Sequence, residues 1–393
     1  MNEVYIVSPY RSAITKAFRG GFRNKRPDEL AADVIKGIIN KNTQLDLATI
    51  EDVYVGCAMP EAEQGMNIGR FIALLAGLPE NVPGLTINRF CSSGLQTIAM
   101  AADRIQAGNA ECILAGGVES MSMIPMMGNK VVAGRVAMEN MPDSYLGMGM
   151  TAENVAKEFE ISRADQDQFA LESHQKSLRA IKEGLFADEI IPVTVENRSP
   201  GKNAAVEIKK QIVTQDEGPR PDTSLENLAK LKPAFLSMGG TVTAGNSSQM
   251  SDGAAFCLVC SESYVKKHNL TPIAKFRSFS VAGVPPRIMG IGPIAAIPLA
   301  LKKAGISMTQ VQHLELNEAF AAQSLAVLRK LDIDPKIVNP LGGAISLGHP
   351  LGATGAKLVA TLCHQMKKNK QKYGVVSMCI GTGMGAAGVL EIL

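Results

Sequence analysis

Four side chains suited to acyl-transfer chemistry stand at the ends of predicted elements: Cys91, Asn317, His349 and Cys379. A cysteine thiolate attacks carbonyl carbon, and a histidine takes the thiol proton and keeps the sulfur ionised. A second thiol can move another proton, while backbone N–H groups of glycine-rich turns hold an oxyanion. These residue types predict nucleophilic acyl transfer, provided that the fold brings the four together.

Cys91 lies in residues 88–94, between an apolar run at 82–87 that predicts a buried strand and a helical pattern. The helical pattern is carried by five apolar residues: Leu95, Ile98, Ala99, Ala102 and Ile105. Free N–H groups and partial positive charge at a helix start favour a thiolate, and Ser92 or Ser93 can cap the same turn. The alternative is that Cys91 is one more small buried apolar residue.

His349 lies in residues 342–355, a stretch dense in glycine whose backbone must pass close to a ligand or to another strand. Pro350 suits the start of a helix, so the imidazole is free to project from the preceding loop. Cys379 ends a predicted strand ahead of a glycine-rich turn, a common place for a reactive group. Asn317 also follows a predicted strand, and its local sequence favours an N-cap of the next helix over a site residue.

An internal repeat relates two of these positions. Residues 94–117 predict a helix, a turn and a strand followed by two glycines, and residues 352–383 predict the same order with a looser glycine pair. Cys91 precedes the first helix and His349 precedes the second. The repeat predicts two similar halves whose equivalent helix starts face one site, and chance similarity of helix-and-strand units is the alternative.

Short apolar runs alternate with helical patterns at both ends of the chain, which is typical of an α/β fold. The predicted strands are 4–7, 52–57, 84–88, 111–115, 254–260, 273–279, 311–316 and 375–379. The predicted helices are 28–40, 66–76, 92–106, 151–159, 163–183, 294–303, 318–330 and 352–368. Residues 121–150 hold eight of the 19 methionines and predict a loop, either a flexible lining for an apolar ligand or filler. Residues 186–247 show little periodicity, so 121–248 is predicted to be an insertion.

The composition is that of a soluble globular protein, with 46% hydrophobic and 20% charged residues among 393. At about 150 residues per domain, the length allows two or three core-forming units. A net charge of +3 argues against nucleic-acid binding. Seven cysteines, odd in number and widely spaced, favour a reducing compartment. No apolar run of about 18 residues predicts a membrane span and neither end resembles a targeting signal, so a cytoplasmic location is expected.

Three other motifs lack the context that their chemistry needs. The glycine motif at 383–388 is followed by five residues, too few for the helix and strand of a dinucleotide site. Cys257-x-x-Cys260 has no second ligand pair, and its apolar neighbours favour a buried strand over a zinc or redox site. The glycine spacing at 343–348 lacks the Lys-Ser/Thr of a phosphate loop.

Four blocks, in order along the chain, resemble the thiolase family, and the resemblance covers nearly the whole chain. The blocks are 88–94 around Cys91, 240–253 with Thr-Val-Thr-Ala-Gly-Asn-Ser-Ser, 317–320, and the pair 342–355 and 379–385. The resemblance implies an α/β fold of two similar halves in a five-layered αβαβα core with an inserted loop domain. The implied divisions are 1–120 plus 249–270 for the N-terminal half, 121–248 for a loop domain that binds coenzyme A, and 271–393 for the C-terminal half.

By resemblance, Cys91 is the nucleophile that carries the acyl group, His349 activates it, and Cys379 is the acid and base. Asn317, through a water, and His349 would stabilise the thioester enolate, and the N–H groups of Cys91 and Gly381 would form a second oxyanion hole. Further positions match residues that contact coenzyme A or line the pocket in relatives: Arg220, Ser248, Met148, Met289 and Phe320. The resemblance implies coenzyme A as co-substrate, no metal and no permanently bound cofactor.

The implied reaction is thiolytic cleavage of a 3-ketoacyl-CoA by coenzyme A, as in fatty acid β-oxidation, through a Cys91 acyl-enzyme. Short-chain acetoacetyl-CoA enzymes of the family usually carry His-Met-Gly where this chain has residues 147–149, Gly-Met-Gly, which implies a roomier acyl pocket. The alternative is a biosynthetic acetoacetyl-CoA thiolase, an acetyl-CoA C-acetyltransferase that condenses two acetyl-CoA molecules. Relatives suggest a homodimer or homotetramer, and a hydratase/dehydrogenase is a candidate partner.

Three rival classes make different predictions. A decarboxylating ketosynthase pairs its cysteine with two histidines, or with a histidine and an asparagine, without a second cysteine, so Cys379 argues against it. A cysteine hydrolase would hydrolyse acyl-CoA in the absence of free coenzyme A. A non-catalytic lipid-binding relative would lack one of the catalytic residues, and here all of them are present.

Overall fold

Strands and helices alternate as predicted in a computed structural model that describes residues 2–200 and 205–393. The strands are β1 (Val4–Arg11), β2 (Thr15–Lys16), β3 (Asp52–Gly56), β4 (Leu85–Ile87), β5 (Cys112–Ser120), β6 (Val193–Pro200), β7 (Val206–Val213), β8 (Ser251–Ser261), β9 (Pro272–Gly283), β10 (Val311–Leu316), β11 (Tyr373–Ile380) and β12 (Met384–Ile392). The helices are α1 (Pro27–Asn40), α2 (Ile68–Leu75), α3 (Ser93–Gln106), α4 (Arg135–Asn140), α5 (Met148–Glu158), α6 (Arg163–Lys182), α7 (Leu225–Ala229), α8 (Glu262–Lys267), α9 (Gly292–Ala304), α10 (Ala321–Leu331), α11 (Ala344–Leu347) and α12 (Leu351–Lys368).

Strands from both ends of the chain form one ten-stranded sheet with the order β10-β11-β12-β9-β1-β8-β5-β3-β4, and β2 pairs with β8. In the first half, β3 and β5 are parallel, and β8 and β1 follow in antiparallel sense. In the second half, β10 and β11 are parallel, and β12 and β9 follow in antiparallel sense. The halves repeat one strand order and meet where β1 pairs with β9. This repetition confirms the predicted pair of similar α/β halves.

Alternate side chains along the strands separate the core into layers. In β8, Phe256 and Leu258 pack with α1 on one face, and Cys257 and Val259 pack with α3 and α12 on the other. Beyond the second half of the sheet, α9 packs on β10, β11 and β12. The two halves of the sheet pack on either side of α3 and α12 and so form two layers. The layer order is helix, sheet, central helices, sheet, helix, which is the five-layered αβαβα core that the resemblance implied.

The central helices α3 and α12 make contact through glycines in their first turns. A Cβ atom on Gly94 would lie 2.7 Å from the Gly352 carbonyl oxygen, which is closer than side-chain carbon approaches backbone oxygen. Glycine is therefore required for this contact. The approach joins the two helix starts, and Leu351, which follows the His349-Pro350 step, packs against Cys91.

The strand before Cys91 differs from its prediction. The run at 82–87 was predicted as a buried strand, but β4 is three residues long and its Leu85 is 38% exposed. In the part of the chain that the structure describes, β4 pairs with β3 alone. An apolar run cannot distinguish an edge strand from a central one, because edge position depends on which strands pair.

Three further segments contain more regular structure than predicted. β12 was not predicted, because its first residues are mainly glycine and alanine instead of the β-branched and aromatic residues typical of strands. The predicted loop at 121–150 contains α4, a 3-10 turn at Pro142–Tyr145 and the start of α5. The segment 186–247 contains the β6–β7 hairpin and α7.

The region between β5 and β8 carries α4 to α7 and the hairpin. Ser162 Oγ caps α6 by accepting a hydrogen bond from the Asp165 N–H at 3.1 Å, and Gly184 after α6 has a φ of +67°. The division of the chain at 120 and 248 stays a prediction. Within residues 2–200 and 205–393, none of the helices has the length and apolar character that a membrane crossing requires.

Candidate active site

Cys91 is the middle residue of a 3-10 turn, Phe90–Ser92, that runs directly into α3. Ser93 Oγ accepts a hydrogen bond from the Arg89 N–H at 2.8 Å and donates to the Phe90 carbonyl at 2.7 Å. This serine braces the turn ahead of the helix, and no side chain caps the start of α3. The predicted serine cap is wrong, because the hydroxyl groups bond to the preceding turn instead.

Burial decides the protonation state of Cys91. Removal from water raises the pKa of the thiol to about 12, although the backbone N–H groups of Gly381 and Cys91 itself donate toward Sγ and lower it. The buried Glu119 carboxyl raises the pKa further. The expected preference for a thiolate at the helix start is therefore wrong for the free site, because desolvation outweighs the helix end. The site therefore holds a thiol, because the two nearby N–H groups lower its pKa less than burial raises it.

His349 precedes Pro350 and α12 and is buried, with 5% of its surface exposed. Its Nδ1 lies 2.6 Å from Thr354 Oγ1, and its Nε2 lies 3.3 Å from Asn317 Nδ2. Burial lowers the pKa of the imidazole to about 3, with a smaller contribution from the Lys357 charge. The ring is therefore neutral at physiological pH and available as a base.

Asn317 lies just beyond the end of β10 and is almost completely buried. Its N–H donates to the Ser377 carbonyl at 2.9 Å, and α10 begins only at Ala321, so Asn317 is not the helix cap that its local sequence favours. Its side-chain Oδ1 is buried and has no hydrogen-bond partner among the residues that the structure describes. An orphaned buried oxygen next to an imidazole is an acceptor available to a water or a substrate.

Cys379 and Gly381 come from the second half of the fold, at the end of β11 and in the turn that follows. Cys379 is fully buried opposite Gly385 of β12. Burial raises the pKa of its thiol well above the usual value, and the nearby Cys91 raises it further. Because the Gly381 N–H also donates toward Cys91 Sγ, both predicted C-terminal groups lie beside the predicted nucleophile.

Apolar side chains surround the second thiol. Met148, Met289 and Phe320, all predicted to line the pocket or contact coenzyme A, belong to one cluster with Cys379. Met148 also reaches the turn after β11, since a Cβ atom on Gly381 would lie 3.7 Å from its sulfur. The structure thus brings the predicted acyl-pocket residues together around the predicted acid and base.

Arg220 lines a separate cavity of about 190 Å³, together with His174, Asp222, Gly245 and Gln249. His174 Nδ1 accepts a hydrogen bond from the Arg220 N–H at 3.1 Å, and burial lowers the pKa of that imidazole to about 4. Predicted Ser248 stands beside this cavity, and its N–H donates to the Ala319 carbonyl at 2.9 Å. Ala319 precedes Phe320, so this wall of the cavity continues into the acyl-pocket cluster.

Sequence reasoning missed Glu119, at the end of β5. Its buried carboxylate accepts hydrogen bonds from the N–H groups of Ala58 and Gly352, each at 2.8 Å, and from Gln64 Nε2 at 2.7 Å. It joins the start of α12 to the loop that packs against Cys91. The available signal was a charged residue that closes an otherwise uncharged run from Cys112 to Val118. Thr354 was also missed, because nothing in the sequence of a helix marks a hydroxyl that bonds to a histidine.

The Cys257-x-x-Cys260 motif lies within β8, as its apolar neighbours indicated. The two side chains lie on opposite faces of the sheet, and Cys260 Sγ lies 3.7 Å from Cys112 Sγ. Opposite faces prevent the pair from holding one metal ion. Across residues 2–200 and 205–393, no cluster of three or more histidine, cysteine or acidic side chains suited to a metal is found.

Comparison with known proteins matches both halves of the chain. The family model for the thiolase N-terminal domain matches residues 4–263, and that for the thiolase C-terminal domain matches residues 270–392. The 3-ketoacyl-CoA thiolase of Bacillus subtilis is 50% identical over the full length of both chains. The crystal structure of the Bacillus anthracis acetyl-CoA acetyltransferase has a TM-score of 0.90 at 40% identity, covering 100% of this chain and 99% of that one. The dimeric peroxisomal thiolase of Saccharomyces cerevisiae has a TM-score of 0.89 at 41% identity, covering 100% and 98%. The chain therefore belongs to the thiolase family and is an acyltransferase.

Proposed function

We propose that this protein cleaves 3-ketoacyl-CoA with free coenzyme A, yielding acetyl-CoA and a shortened acyl-CoA through a thioester on Cys91. One observation carries the proposal: backbone N–H groups from both halves of the fold, those of Cys91 and Gly381, lie close enough to the Cys91 sulfur to lower the pKa of its thiol, and Cys379 lies beside it. The name of the Bacillus subtilis relative, 3-ketoacyl-CoA thiolase, supports the same reaction. Fatty acid β-oxidation in the cytoplasm is the proposed setting.

In the first half-reaction, Cys91 Sγ attacks the 3-keto carbon while its proton moves to His349 Nε2. The oxyanion that forms accepts hydrogen bonds from the N–H groups of Cys91 and Gly381. The C2–C3 bond then breaks, the acyl group stays on sulfur, and the thioester enolate takes a proton from Cys379. Asn317 Nδ2, 3.3 Å from the imidazole, supports a role beside His349 in stabilising that enolate, through a water.

In the second half-reaction, the thiol of coenzyme A gives its proton to the Cys379 thiolate and its sulfur attacks the thioester carbon. The tetrahedral intermediate uses the same two N–H donors. Cys91 leaves as a thiolate and recovers its proton from the His349 imidazolium, so both thiols and the imidazole return to their starting states. This cycle requires no metal or permanently bound cofactor, and coenzyme A acts as co-substrate.

The neutral resting pair of Cys91 and His349 has a consequence for selectivity. Because burial raises the pKa of the thiol to about 12 and lowers that of the imidazole to about 3, the ion pair is unfavourable in the free site. A bound carbonyl provides the charge acceptor that makes proton transfer productive. We infer that the nucleophile is activated in step with attack, so it reacts more slowly with other electrophiles than a permanent thiolate would.

The cavity at Arg220 supports coenzyme A binding. Coenzyme A carries phosphate groups, and guanidinium is the side-chain group best suited to phosphate. Burial lowers the pKa of the Lys16 ammonium group, and the nearby Arg220 charge lowers it further. Two cations therefore share this region. Ser248 and Ala319 connect the cavity wall to the acyl pocket. The arrangement supports entry of the coenzyme beside α6, with its thiol end directed at Cys379.

Acyl chain length distinguishes this function from that of an acetoacetyl-CoA thiolase. Gly147 occupies the position where short-chain enzymes usually carry histidine, and a Cβ atom there would meet no other atom within 4 Å. We expect kcat/KM for C8 to C16 3-ketoacyl-CoA to equal or exceed that for C4. Gly147→His is expected to shift the ratio toward C4 by about tenfold, because it fills the open space.

The measurement compares cleavage of C4, C8, C12 and C16 substrates by the two enzymes, with Gly147→Ala as the matched control that adds only one methyl group. A strict preference of the unaltered enzyme for C4 would reject the proposed substrate class and support the alternative, condensation of two acetyl-CoA molecules. Omission of free coenzyme A tests the hydrolase alternative, which predicts undiminished consumption of acyl-CoA.

An exposed apolar surface supports a homodimer. β4 is an edge strand, and its Leu85 is continuous with exposed side chains of the neighbouring α2. The exposed fractions are Phe71 45%, Leu74 42%, Leu75 43% and Leu85 38%. An open edge beside apolar side chains favours pairing with another chain. The dimeric yeast relative supports the same state.

We expect a species of twice the chain mass of 41.7 kDa in light scattering, and a shift toward monomer in Leu74→Glu. Ile208→Glu places the same charge on the exposed hairpin and is expected to leave the dimer unchanged. A dimer that persists in Leu74→Glu but dissociates in Met127→Glu would move the interface to the methionine-rich segment 121–150. A tetramer that becomes a dimer in Met127→Glu would instead assign that segment to a second interface.

A hydratase and a dehydrogenase that act on acyl-CoA would supply the 3-keto substrate, and we infer them as partners.

A further inference from the structure

Thr354 bonds to the imidazole from the side opposite to the reacting groups. It lies in the first turn of α12 and is buried, with 1% of its surface exposed. Its Oγ1 is 2.6 Å from His349 Nδ1 and 3.0 Å from the Pro350 carbonyl oxygen. No step of the proposed reaction uses this hydroxyl group, so its role must be exerted through His349.

The hydroxyl group has one proton to donate. The Pro350 carbonyl can only accept, so it suits the Thr354 O–H, and with the proton directed there Oγ1 accepts from His349 Nδ1–H. On the other side of the ring, the Asn317 amide nitrogen is a donor that faces Nε2 at 3.3 Å. Both contacts fit the same arrangement: a proton on Nδ1 and a lone pair on Nε2.

We propose that Thr354 is a positioning residue that holds His349 in the Nδ1–H tautomer and so keeps Nε2 free to accept the Cys91 proton. The inference rests on the proposed role of His349 as the base. The Pro350 carbonyl is needed for this assignment. Because it accepts the Thr354 hydroxyl proton, that hydroxyl has no proton left to donate to an unprotonated Nδ1, as the opposite tautomer would need. The Pro350 carbonyl thus fixes the direction of two hydrogen bonds, from Thr354 O–H to this carbonyl and from His349 Nδ1–H to Thr354 Oγ1, and Nε2 keeps its lone pair.

A neutral acceptor suits this site better than a carboxylate. An anion on Nδ1 would favour the imidazolium and, with it, a permanent thiolate on Cys91. The hydroxyl of Thr354 sets the tautomer without supplying that charge, so the neutral resting pair is preserved. When His349 takes the proton during attack, its Nδ1–H bond to Thr354 becomes charge-assisted and stabilises the imidazolium only then.

The test compares Thr354→Val, which keeps the shape but removes the acceptor, with Thr354→Ser, which retains it. We expect Thr354→Val to lower kcat for thiolysis by at least about tenfold with KM within about twofold, because the transition state alone uses the imidazolium. Alkylation of Cys91 by iodoacetamide is expected to slow similarly, since it needs the same base. Thr354→Ser is expected to restore both rates to within about threefold.

Thr97→Val is the matched control. Thr97 is equally buried, near the start of α3, and its hydroxyl oxygen lies 2.8 Å from the Gly94 and Gly116 carbonyl oxygens. It has no contact with His349 among the hydrogen bonds of the described residues. A loss of rate in Thr97→Val equal to that in Thr354→Val would show that removing a buried hydroxyl is sufficient, and would overturn the proposal.

Nitrogen NMR of the imidazoles provides a readout that a purely structural role would not move. The chain has five histidines, and the His349 signals are identified by their loss in His349→Asn. We expect Nδ1 protonated and Nε2 unprotonated in the unaltered protein and in Thr354→Ser, with the Nε2–H form appearing in Thr354→Val. A proton on Nε2 in the unaltered protein, or an unchanged tautomer in Thr354→Val, would refute the assignment. Both the spectra and the alkylation rates can be measured even if the protein fails to cleave 3-ketoacyl-CoA, so the two proposals fail separately.

Discussion

Cys91→Ser is expected to abolish the acyl-enzyme and to lower thiolysis of 3-ketoacyl-CoA by at least about 10³-fold, as when a covalent nucleophile is removed. Serine keeps the size and the N–H donors of the turn but is a far weaker nucleophile than a thiol. The neutral His349, with a pKa of about 3, lacks the basicity to compensate. The loss should therefore appear in kcat, with substrate binding largely retained.

Intact-protein mass spectrometry measures this directly, after mixing with 3-ketoacyl-CoA in the absence of free coenzyme A. The unaltered protein should gain one acyl mass, and Cys91→Ser should gain none. Cys57→Ser is the control, because Cys57 is also buried and its sulfur lies 3.3 Å from Gln64 Nε2, a polar neighbour that a hydroxyl tolerates. Retained labelling in Cys91→Ser, or its loss in Cys57→Ser, would contradict the assignment of the nucleophile.

Much of the fold could be predicted because the two halves repeat. Helical periodicity predicts α3 and α12 almost residue for residue. Each helix follows a residue whose side chain can take part in catalysis, Cys91 or His349. Two equivalent helices in a repeated α/β unit have equivalent positions, so their starts could be expected at one place. The glycines that let them touch, Gly94 and Gly352, are visible in the sequence, but their partners are not.

What the sequence could not supply is the environment of each group. A helix start favours a thiolate by local rules, whereas the pKa of Cys91 depends on how completely later elements exclude water from it. Asn317 follows a strand and precedes a helix, which is the setting of a cap, but the helix begins four residues later and the side chain faces His349. The pKa of Cys91 and the orientation of Asn317 both depend on tertiary packing. Tertiary packing leaves no periodic pattern in the sequence, so it could not be predicted from periodicity.

The missed elements fail for a related reason. β12 consists largely of small residues, because its inner face lies against the crowded central helices, so it lacks the bulky residues by which strands are recognised. Its counterpart in the repeat, β8, was predicted from Phe256, Leu258 and Val259. Comparing the two halves strand by strand would have indicated β12, since the position after β11 corresponds to that of β8 in the order of the sheet.

Cys379→Ser is expected to separate the two chemical steps. Exchange of the methyl protons of acetyl-CoA with deuterated water requires a base at C2, and we expect this exchange to fall by about 10²- to 10⁴-fold. Acetylation of Cys91 by acetyl-CoA should still reach completion, because the thiolate of coenzyme A can leave without a general acid. Burial of Cys379 raises the pKa of its thiol, so the thiolate that remains after its proton passes to the departing coenzyme A is a strong base for the C2 proton.

The two cysteines then give opposite patterns. Cys91→Ser should lose both acetylation and exchange, Cys379→Ser should lose exchange alone, and Cys57→Ser should lose neither. Proton NMR of acetyl-CoA in deuterated water follows the exchange, and protein mass follows the acetylation on the same samples. Undiminished exchange in Cys379→Ser would remove this thiol from the proposed mechanism and leave His349 as the remaining described base near the Cys91 thioester. Because the two thiols come from opposite halves of the repeat, the expected pattern would also assign one half to holding the acyl group and the other to moving its proton.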